Sequence, residues 1–383
     1  MSLQPITEDW LKPLLVDLTS SLPKRKQSKR IRVFAFPSHL TKQRTTGVDF
    51  ARVIQPMRQL GRDSDFEVIH FDINRKTDWL WVSQNVDIIF FNYLHNPWGY
   101  AAMGAMARKH GVKLVLDLDD SLWDIATDNP AYKVFHYKSE ALMNFNAICK
   151  DVDYITTTNS YLRNVIVHNA PVRHEKIKII PNFVDLELYN HISSFKPDPY
   201  KVTLLHMAST THFHDLRNPE FEKGMEMIMD AYPNVVFKTV GALIQTYKEK
   251  WGMRYFNSYG HEDIYQWIKG RFREFMDEAD IIVTPLIDNV YNRCKSNIKF
   301  LEVSSAKKVG CFSNLHQYQE VIRNGENGFL CRTAQDWYDN LKYLIGHPEK
   351  RRKMGEQAYK DIEKDWTIQG NIWRYAEFFK SIL

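Results

Sequence analysis

The sequence predicts an α/β protein built from two doubly wound, Rossmann-like domains that face each other across a cleft. Strand-like and helix-like segments alternate twice along the 383 residues, which is typical of parallel sheets covered by helices on both faces. A polar stretch with two prolines, at 190–200, separates the two runs and has the composition of a linker. Ligands bind at the carboxyl ends of the strands in such folds, so we expect the site there.

The composition is that of a globular protein, with 44% hydrophobic residues, 25% charged residues and a net charge of +5. No run of 18 apolar residues occurs, which argues against a membrane-spanning helix. The N-terminus carries acidic residues and no basic segment ahead of an apolar one, so we predict no secretory signal and a cytoplasmic protein. The cysteines lack the spacing of a metal site and are expected to be free thiols.

The first domain is predicted at 31–190, after an N-terminal region at 1–30 that combines an amphipathic helix at 7–21 with a basic segment from Lys24 to Arg32. The basic segment is either a solvated linker or a contact with an anionic surface, membrane or nucleic acid. The predicted strands are 31–36, 66–71, 87–92, 113–118, 154–158 and 178–181. Helices are predicted around 48–60, 98–110, 131–150 and 159–168.

The second domain is predicted at 200–365. Its expected strands are 202–207, 235–240, 281–284, 309–313 and 328–331. Its expected helices are near 219–231, 261–278, 295–305, 316–323, 334–346 and 348–361. A last helix at 367–382, rich in aromatic residues, makes up a C-terminal segment at 366–383 that is expected to cross back to the first domain.

The predicted helix at 295–305 carries Lys295, Lys299 and Glu302 at i, i+4 and i+7, which places them on one face. A helix start that follows a strand can hold phosphate through its free N–H groups, and Lys295 adds a counter-charge. Ser296 would cap the helix or donate to a phosphate oxygen, and Glu302 would accept hydrogen bonds from ribose hydroxyls. The alternative is a surface helix with a Lys299–Glu302 ion pair.

Five short motifs, in order along about 30–365, together resemble the GT-B glycosyltransferases, particularly the large retaining family called GT4. They are Ile179-Ile-Pro-Asn-Phe-Val-Asp185, the helix and strand from Gly224 to Gly241, Asp280-Ile-Ile-Val-Thr-Pro-Leu286, the helix segment Asn292–Glu302, and the turn Asn324–Leu330. The resemblance implies transfer of a hexosyl or pentosyl group from a nucleotide-diphosphate sugar, first of all a UDP-sugar, to an acceptor hydroxyl. It also implies retention of configuration, with no metal and no other cofactor.

The chain departs from the family at two functional positions. Many members have a glutamate where this chain has Cys294, and a histidine where it has Asp119. Asp119 follows a strand and would orient the acceptor hydroxyl or accept its proton, while Asp120 is expected to cap the following turn. An Asp-x-Asp metal site at Asp117 and Asp119 is set aside because that motif belongs to the single-domain GT-A architecture.

Further site residues are predicted in strand-to-helix loops. On the donor side, Ser209, Thr210 and His212 resemble a phosphate-binding loop of some relatives; the alternative is a helix-capping cluster with a solvated His212, and a metal site there is disfavoured. On the acceptor side we expect Gly47, where backbone must approach closely, together with Arg44 and His95.

The sequence leaves several classes of acceptor molecule possible. A glycan or a lipid-linked glycan at the inner membrane surface fits the apolar N-terminal helix and its basic segment. A hydroxylated base in DNA fits the positive charge and would require base flipping. A different class of function, a nucleotide-binding or glycan-binding module without catalysis, is favoured by Cys294 and disfavoured by the presence of Lys295, Glu302 and Asp119.

Overall fold

A computed structural model describes residues 30–383 apart from 42–43, 73, 75, 95, 128, 190–197, 199, 209–211, 242 and 259–262. The predicted helix at 7–21, most of the Lys24–Arg32 segment and most of the linker lie outside these residues. The chain forms two compact units. Unit 1 contains the described residues of 30–123, 134–181 and 372–383, and unit 2 contains those of 124–133 and 182–371.

Unit 1 is built on a sheet of six strands in the described chain: β1 Ile31–Phe36, β2 Phe66–His70, β3 Ile88–Asn92, β4 Lys113–Leu118, β5 Tyr154–Thr157 and β6 Ile177–Ile179. All pairings are parallel and the order is β2-β1-β3-β4-β5-β6. Every residue of β3 is buried, as expected when helices cover both faces. The order reverses between β1 and β3, so their carboxyl ends form the switch point at which such sheets bind ligands.

The helices of unit 1 follow the strands as crossover connections. They are α1 Gly47–Asp49, which runs through a π-helical stretch at Phe50–Ile54 into α2 Gln55–Leu60, then α3 Trp79–Asn85, α4 Pro97–His110, α5 Glu140–Asp151 and α6 Ser160–Asn169. Side-chain caps fix several starts: the Asn96 carboxamide oxygen accepts hydrogen bonds from the first N–H groups of α4, and Asn159 does the same for α6.

Unit 2 has a second six-stranded parallel sheet in the described chain: β7 Val202–Met207, β8 Val235–Val240, β9 Tyr255–Ser258, β10 Ile281–Thr284, β11 Gly310–Ser313 and β12 Phe329–Cys331. The order is β12-β11-β10-β7-β8-β9. This is the strand order of dinucleotide-binding folds, and its switch point lies between β7 and β10.

The helices of unit 2 are α7 Leu186–Tyr189, α8 Pro219–Ala231, α9 Gln245–Trp251, α10 Ile264–Lys269, α11 Arg271–Glu278, α12 Val290–Arg293, α13 Ile298–Ser305, α14 His316–Gln319, α15 Ala334–Gly346, α16 Pro348–Asp365 and α17 Ile368–Asn371. The last helix, α18 Trp373–Ser381, belongs to unit 1. There Tyr375 and Phe379 pack edge-on against Phe90 of β3, at centroid distances of 5.9 and 5.6 Å.

The predicted fold class is confirmed by the two six-stranded parallel sheets and their helices. Five of the described elements were not predicted, namely α3, α7, α9, α12 and β9. Several predicted helices also need correction. The helix expected around 131–150 begins only at Glu140, after its cap Ser139. The helix expected at 295–305 begins only at Ile298, because Asn297 is not helical (φ −80°, ψ 13°). The helix expected at 261–278 is broken at Gly270 into α10 and α11, and that expected at 367–382 is divided into α17 and α18. No helix in the described ranges is long and apolar enough to cross a membrane.

Candidate functional site

The carboxyl edge of the unit 2 sheet is organised around Asp215, which follows β7 and is buried. Its carboxylate accepts hydrogen bonds from the Ile287 N–H (3.0 Å), the Asn292 amide (2.6 Å) and Nδ1 of His212 (2.9 Å). Burial alone would raise the pKa of Asp215, but these hydrogen bonds and the charge of Lys295 outweigh it, so the pKa lies below its usual range. Asp215 therefore carries a fixed negative charge that joins the loops after β7 and β10.

Other side chains hold the loop after β10 from both sides. The Leu286 N–H donates to Oγ of Ser313 at the end of β11 (2.7 Å), and its carbonyl accepts from the Asn218 amide (2.9 Å). Gln317 donates to the carbonyl of Asn292 at 2.9 Å. The turn that leads to Lys295 is thus fixed by a buried hydrogen-bond network, which is the preorganisation that a binding site requires.

Lys295 lies in the turn between α12 and α13 and is 9% exposed. Its ammonium is 4.4 Å from the centre of the Tyr291 ring, and its charge acts on Asp215 and on Tyr318. The structure therefore places a largely buried cation at the edge of the sheet where the strand order reverses.

Ser296 follows directly and makes two contacts. Its hydroxyl oxygen accepts a hydrogen bond from the Asn182 amide at 2.7 Å and from the N–H of Ile298 at 3.3 Å. The second contact satisfies one of the free N–H groups at the start of α13. Asn182 comes from the Pro-Asn of the motif at 179–185, so this contact joins two of the sequence motifs.

Lys299 and Glu302 form an ion pair on α13, with 2.8 Å between Nζ and Oε2. This is the contact that the surface-helix alternative requires, but the carboxylate is only 14% exposed. Glu302 also acts electrostatically on Tyr189, where burial first and this carboxylate second raise the pKa of the phenol. The partly buried Glu302 keeps acceptor capacity, because a carboxylate can accept several hydrogen bonds.

Two histidines stand at the same edge of the sheet. His206, near the end of β7, is buried; burial lowers its pKa to about 4, so the ring is neutral and its Nδ1–H donates to the carbonyl of Val283 in β10 (3.0 Å). His212 contacts Asp215, so the alternative of a solvated His212 is wrong. The predicted donor residues Ser209 and Thr210 lie outside the described residues. Cys294, at the position of the family's glutamate, is fully buried.

In unit 1 the residues after β3 and β4 meet at Asp119. The Tyr93 hydroxyl donates to Oδ1 of Asp119 at 2.7 Å, and the N–H groups of Asp119 (2.9 Å) and Asp120 donate to the same hydroxyl. Burial, and then the charge of Asp120, raise the pKa of Asp119 to about 7. A carboxylate with such a pKa can accept a proton near neutral pH.

The neighbouring carboxylate of Asp117 has a structural role, because its oxygens accept hydrogen bonds within the core. Arg52, carried inward by the π-helical stretch, binds Asp117 through two hydrogen bonds of 2.8 Å, and the Thr156 hydroxyl donates at 2.5 Å. Asp117 and Arg52 are both fully buried. Because its oxygens have these partners, Asp117 does not offer a metal ligand beside Asp119. Within the described ranges no cluster of His, Cys, Asp and Glu could hold a metal ion.

The remaining predicted residues of unit 1 occupy the loop after β1. Gly47 begins α1 in an exposed position, capped by Thr46, whose hydroxyl accepts from the N–H of Asp49 (3.2 Å). The same hydroxyl donates to the Asp49 carboxylate at 2.8 Å. Arg44 is exposed. Asp120 is half-buried, and its carbonyl is 3.1 Å from the Tyr93 hydroxyl. His95 lies outside the described residues.

Sequence reasoning missed Tyr93, Arg52 and the role of Asp215 as a hydrogen-bond centre. The only signal for Tyr93 is a polar side chain directly after a fully buried strand, Ile88–Asn92. Asp215 and Asn292 lie in the segments that follow β7 and β10, each eight residues after the end of its strand. Because 77 residues separate them, their contact depends on the order of the strands.

Family models match most of the chain in two parts. Residues 15–188 match Glycosyltransferase Family 4, and residues 224–377 match Glycosyl transferase-like. A segment of 61 residues is 34% identical to trehalose synthase of Pyrococcus horikoshii; it is 16% of this chain and 15% of that protein. The chain thus spans a small part of this curated relative.

Solved structures share the fold at low sequence identity. A glycosyltransferase from Rickettsia africae is 14% identical with a TM-score of 0.61, covering 93% of this chain and 99% of that one. Anabaena HepE in complex with UDP and glucose is 13% identical with a TM-score of 0.61, covering 92% and 100%. TarM is 12% identical with a TM-score of 0.56, and only 55% of its length is covered, against 78% of this chain.

Proposed function

The chain is a GT-B glycosyltransferase whose first half matches glycosyltransferase family 4, and we propose that it transfers a hexosyl group from a UDP-sugar to an acceptor hydroxyl. Configuration at the anomeric carbon is retained and no metal takes part. The anomeric carbon loses its bond to the β-phosphate oxygen, which leaves with the electron pair as UDP. The acceptor oxygen forms the new bond on the face of the sugar from which UDP departs, as retention in a single displacement requires, and its proton passes to a carboxylate.

The observation that carries this proposal is the buried Lys295 at the β7–β10 switch point, next to the network of Asp215. A cation in a site of low polarity stabilises the charge that develops on a departing diphosphate, and a fixed network avoids reorganisation during the reaction. Glu302 follows on α13 and supplies the carboxylate that ribose hydroxyls need. Lys295 and the N–H groups at the start of α13 stabilise the negative charge of the diphosphate, a task that a divalent cation performs in other transferases.

The identity of the nucleotide is proposed from the structural relatives. Anabaena HepE has been solved with UDP and with UDP-glucose, and its chain is matched along its whole length by this one. For the acceptor we propose a hydroxyl of a glycan or sugar, with Asp119 as the group that takes its proton. The raised pKa of Asp119, near 7, suits that task because proton acceptance is most efficient when the pKa is close to the working pH.

The test compares Lys295→Gln with Lys342→Gln. Both lysines follow a tyrosine by four residues and place Nζ over its ring, Lys295 over Tyr291 and Lys342 over Tyr338, but Lys342 is exposed on α15. For each variant, the affinity for UDP is measured by calorimetry. The release of UDP from a panel of UDP-sugars is measured with and without EDTA. Lys295→Gln should weaken UDP binding by about tenfold or more, and Lys342→Gln should leave it unchanged.

The outcomes separate the proposed enzyme from a binding module. Turnover of a UDP-sugar that survives EDTA, with the anomeric configuration of the product read by NMR, supports metal-free retaining transfer. Binding of UDP without turnover of any donor in the presence of mono- and oligosaccharide acceptors would mean that the chain binds nucleotides without catalysis. Equal loss of UDP binding in the two lysine variants would contradict the role of Lys295.

A further inference from the structure

Tyr93 lies at the end of β3 in an unusual backbone conformation. Its φ of 41° falls in the left-handed region, which bulky side chains rarely occupy. The ring is buried (7% exposed) and stacks on Phe145 with an angle of 14° between the planes. Such strain persists where the surrounding contacts over-determine it, and it concentrates at functional sites.

The strained conformation brings the phenol to the loop after β4. There the hydroxyl accepts hydrogen bonds from two successive N–H groups, those of Asp119 and Asp120. It donates its own hydrogen bond to Oδ1 of Asp119 (2.7 Å). One oxygen therefore fixes both the backbone and the carboxylate of Asp119. A residue that served only to fill the core would not need a hydroxyl at this position.

We propose that Tyr93 is the positioning residue of the reaction, which holds the carboxylate of Asp119 in its reactive orientation and ionisation state. This inference rests on the proposed function, because it gives Asp119 the acceptor's proton. Tyr93 acts through Asp119 and is given no contact with substrate.

The groups that face Asp119 set the direction of the expected change. Asp120 on the same loop and Asp117 on β4 raise its pKa, whereas Arg52 and the Tyr93 hydrogen bond lower it; burial has the largest effect and raises it. Tyr375 of α18 also lies within electrostatic reach of Asp119. Removal of the Tyr93 hydroxyl leaves the other groups in place, so the carboxylate loses a donor and its pKa must rise.

The experiment measures kcat/KM for UDP-sugar turnover against pH in the wild-type chain, Tyr93→Phe and Tyr100→Phe. Tyr100 is a matched control: it is equally buried (7% exposed), and its hydroxyl donates to the carboxylate of Asp151 at 2.6 Å. In Tyr93→Phe the pH at which kcat/KM reaches half of its maximum should increase by about one unit or more, because a hydrogen bond to a charged group is lost. Tyr100→Phe should keep the wild-type profile.

A second variant should shift the pH profile of kcat/KM to lower pH. Site-specific replacement of Tyr93 by 3-fluorotyrosine keeps the ring and makes the phenol a stronger donor, so the rise in kcat/KM should move to lower pH. If Tyr93→Phe does not fold, the 3-fluorotyrosine variant alone tests whether Tyr93 positions Asp119. A Tyr93→Phe or 3-fluorotyrosine enzyme with the wild-type pH profile would overturn the inference. Absence of UDP-sugar turnover in both the wild type and Tyr100→Phe would instead overturn the proposed function.

Discussion

In the proposed mechanism, Asp119 and Glu302 use the same functional group, a carboxylate, for two different tasks. Burial and the neighbouring Asp120 keep the pKa of Asp119 near 7, whereas Glu302 has a cation at 2.8 Å. A carboxyl group that titrates near neutrality suits proton transfer, and a carboxylate with a paired cation suits hydrogen bonding to hydroxyls. The two proposed roles therefore differ because the surroundings of the two carboxyl groups differ.

The raised pKa of Asp119 predicts the pH dependence of the reaction. A protonated carboxyl group cannot accept the proton of the acceptor hydroxyl, so activity is lost as the pH falls below about 7. We expect kcat/KM to rise about tenfold per pH unit below that value and to level off above it. Asp119→Asn should abolish this rise and lower kcat while UDP binding in calorimetry stays as in the wild type; weakened UDP binding would contradict the assignment.

Glu302 carries a prediction about the donor. Glu302→Gln removes the charge that would accept hydrogen bonds from ribose, so the KM for the donor should increase by about tenfold. Glu326→Gln is the matched control, because Glu326 also forms an i, i+3 ion pair at 2.8 Å, with Arg323, and is exposed. Steady-state kinetics at saturating acceptor give both values. If the two variants differ little from the wild type, the surface-helix alternative for Glu302 is right.

At the scale of elements, the sequence predicts what local patterns determine. Strand β4 was predicted at its observed bounds, because five of its six residues are buried and the run is bounded by a glycine turn and by Asp119. Strand β9 was missed because it is four residues long, lies at the edge of the sheet and leaves Phe256 48% exposed. Helix α13 starts late because the loop at 294–297 is held by contacts with distant residues, which no local pattern contains.

The contact between α8 and α15 gives a prediction on packing. A Cβ at Gly224 would lie 2.5 Å from the Cβ of Trp337 and 2.9 Å from the Ala334 carbonyl. Gly224→Ala must therefore push the two helices apart, at a cost of about 1–3 kcal/mol in the free energy of unfolding. Gly346→Ala, at the end of α15 with no atom within 4 Å of its Cβ, should be neutral or slightly stabilising. Urea unfolding distinguishes the two, and equal stability of both variants would contradict the contact.

At the scale of the whole molecule, the alternation of strands and helices predicted both sheets, but the contacts at the sites depend on strand order. Tyr93 and Asp119 are 26 residues apart, and they meet only because β3 and β4 are neighbours. Asp215 and Asn292 meet because β7 lies beside β10. A single sequence reveals which residues end each strand, whereas the pairing of those ends follows from the order in which the strands assemble.

After its long segment in unit 2, residues 182–371, the chain returns to unit 1 in α18. The last residues therefore stabilise the first sheet. Phe379 is fully buried and packs on Phe90 and Tyr375. Phe379→Ala removes a large buried side chain and should destabilise unit 1 by about 3–5 kcal/mol. On the same helix Trp373 is 47% exposed, so Trp373→Ala should cost much less.

Hydrogen exchange can locate this effect within the chain, because amide protection reports local opening. In Phe379→Ala, protection should fall in β1, β3 and β4 and stay near the wild-type level in β7, β8 and β10, although the mutated residue follows all of unit 2 in sequence. Trp373→Ala should keep the wild-type pattern in both sheets. Loss of protection centred on β7 and β8 would show that the C-terminal helix stabilises the unit next to it in sequence, contrary to its packing on β3.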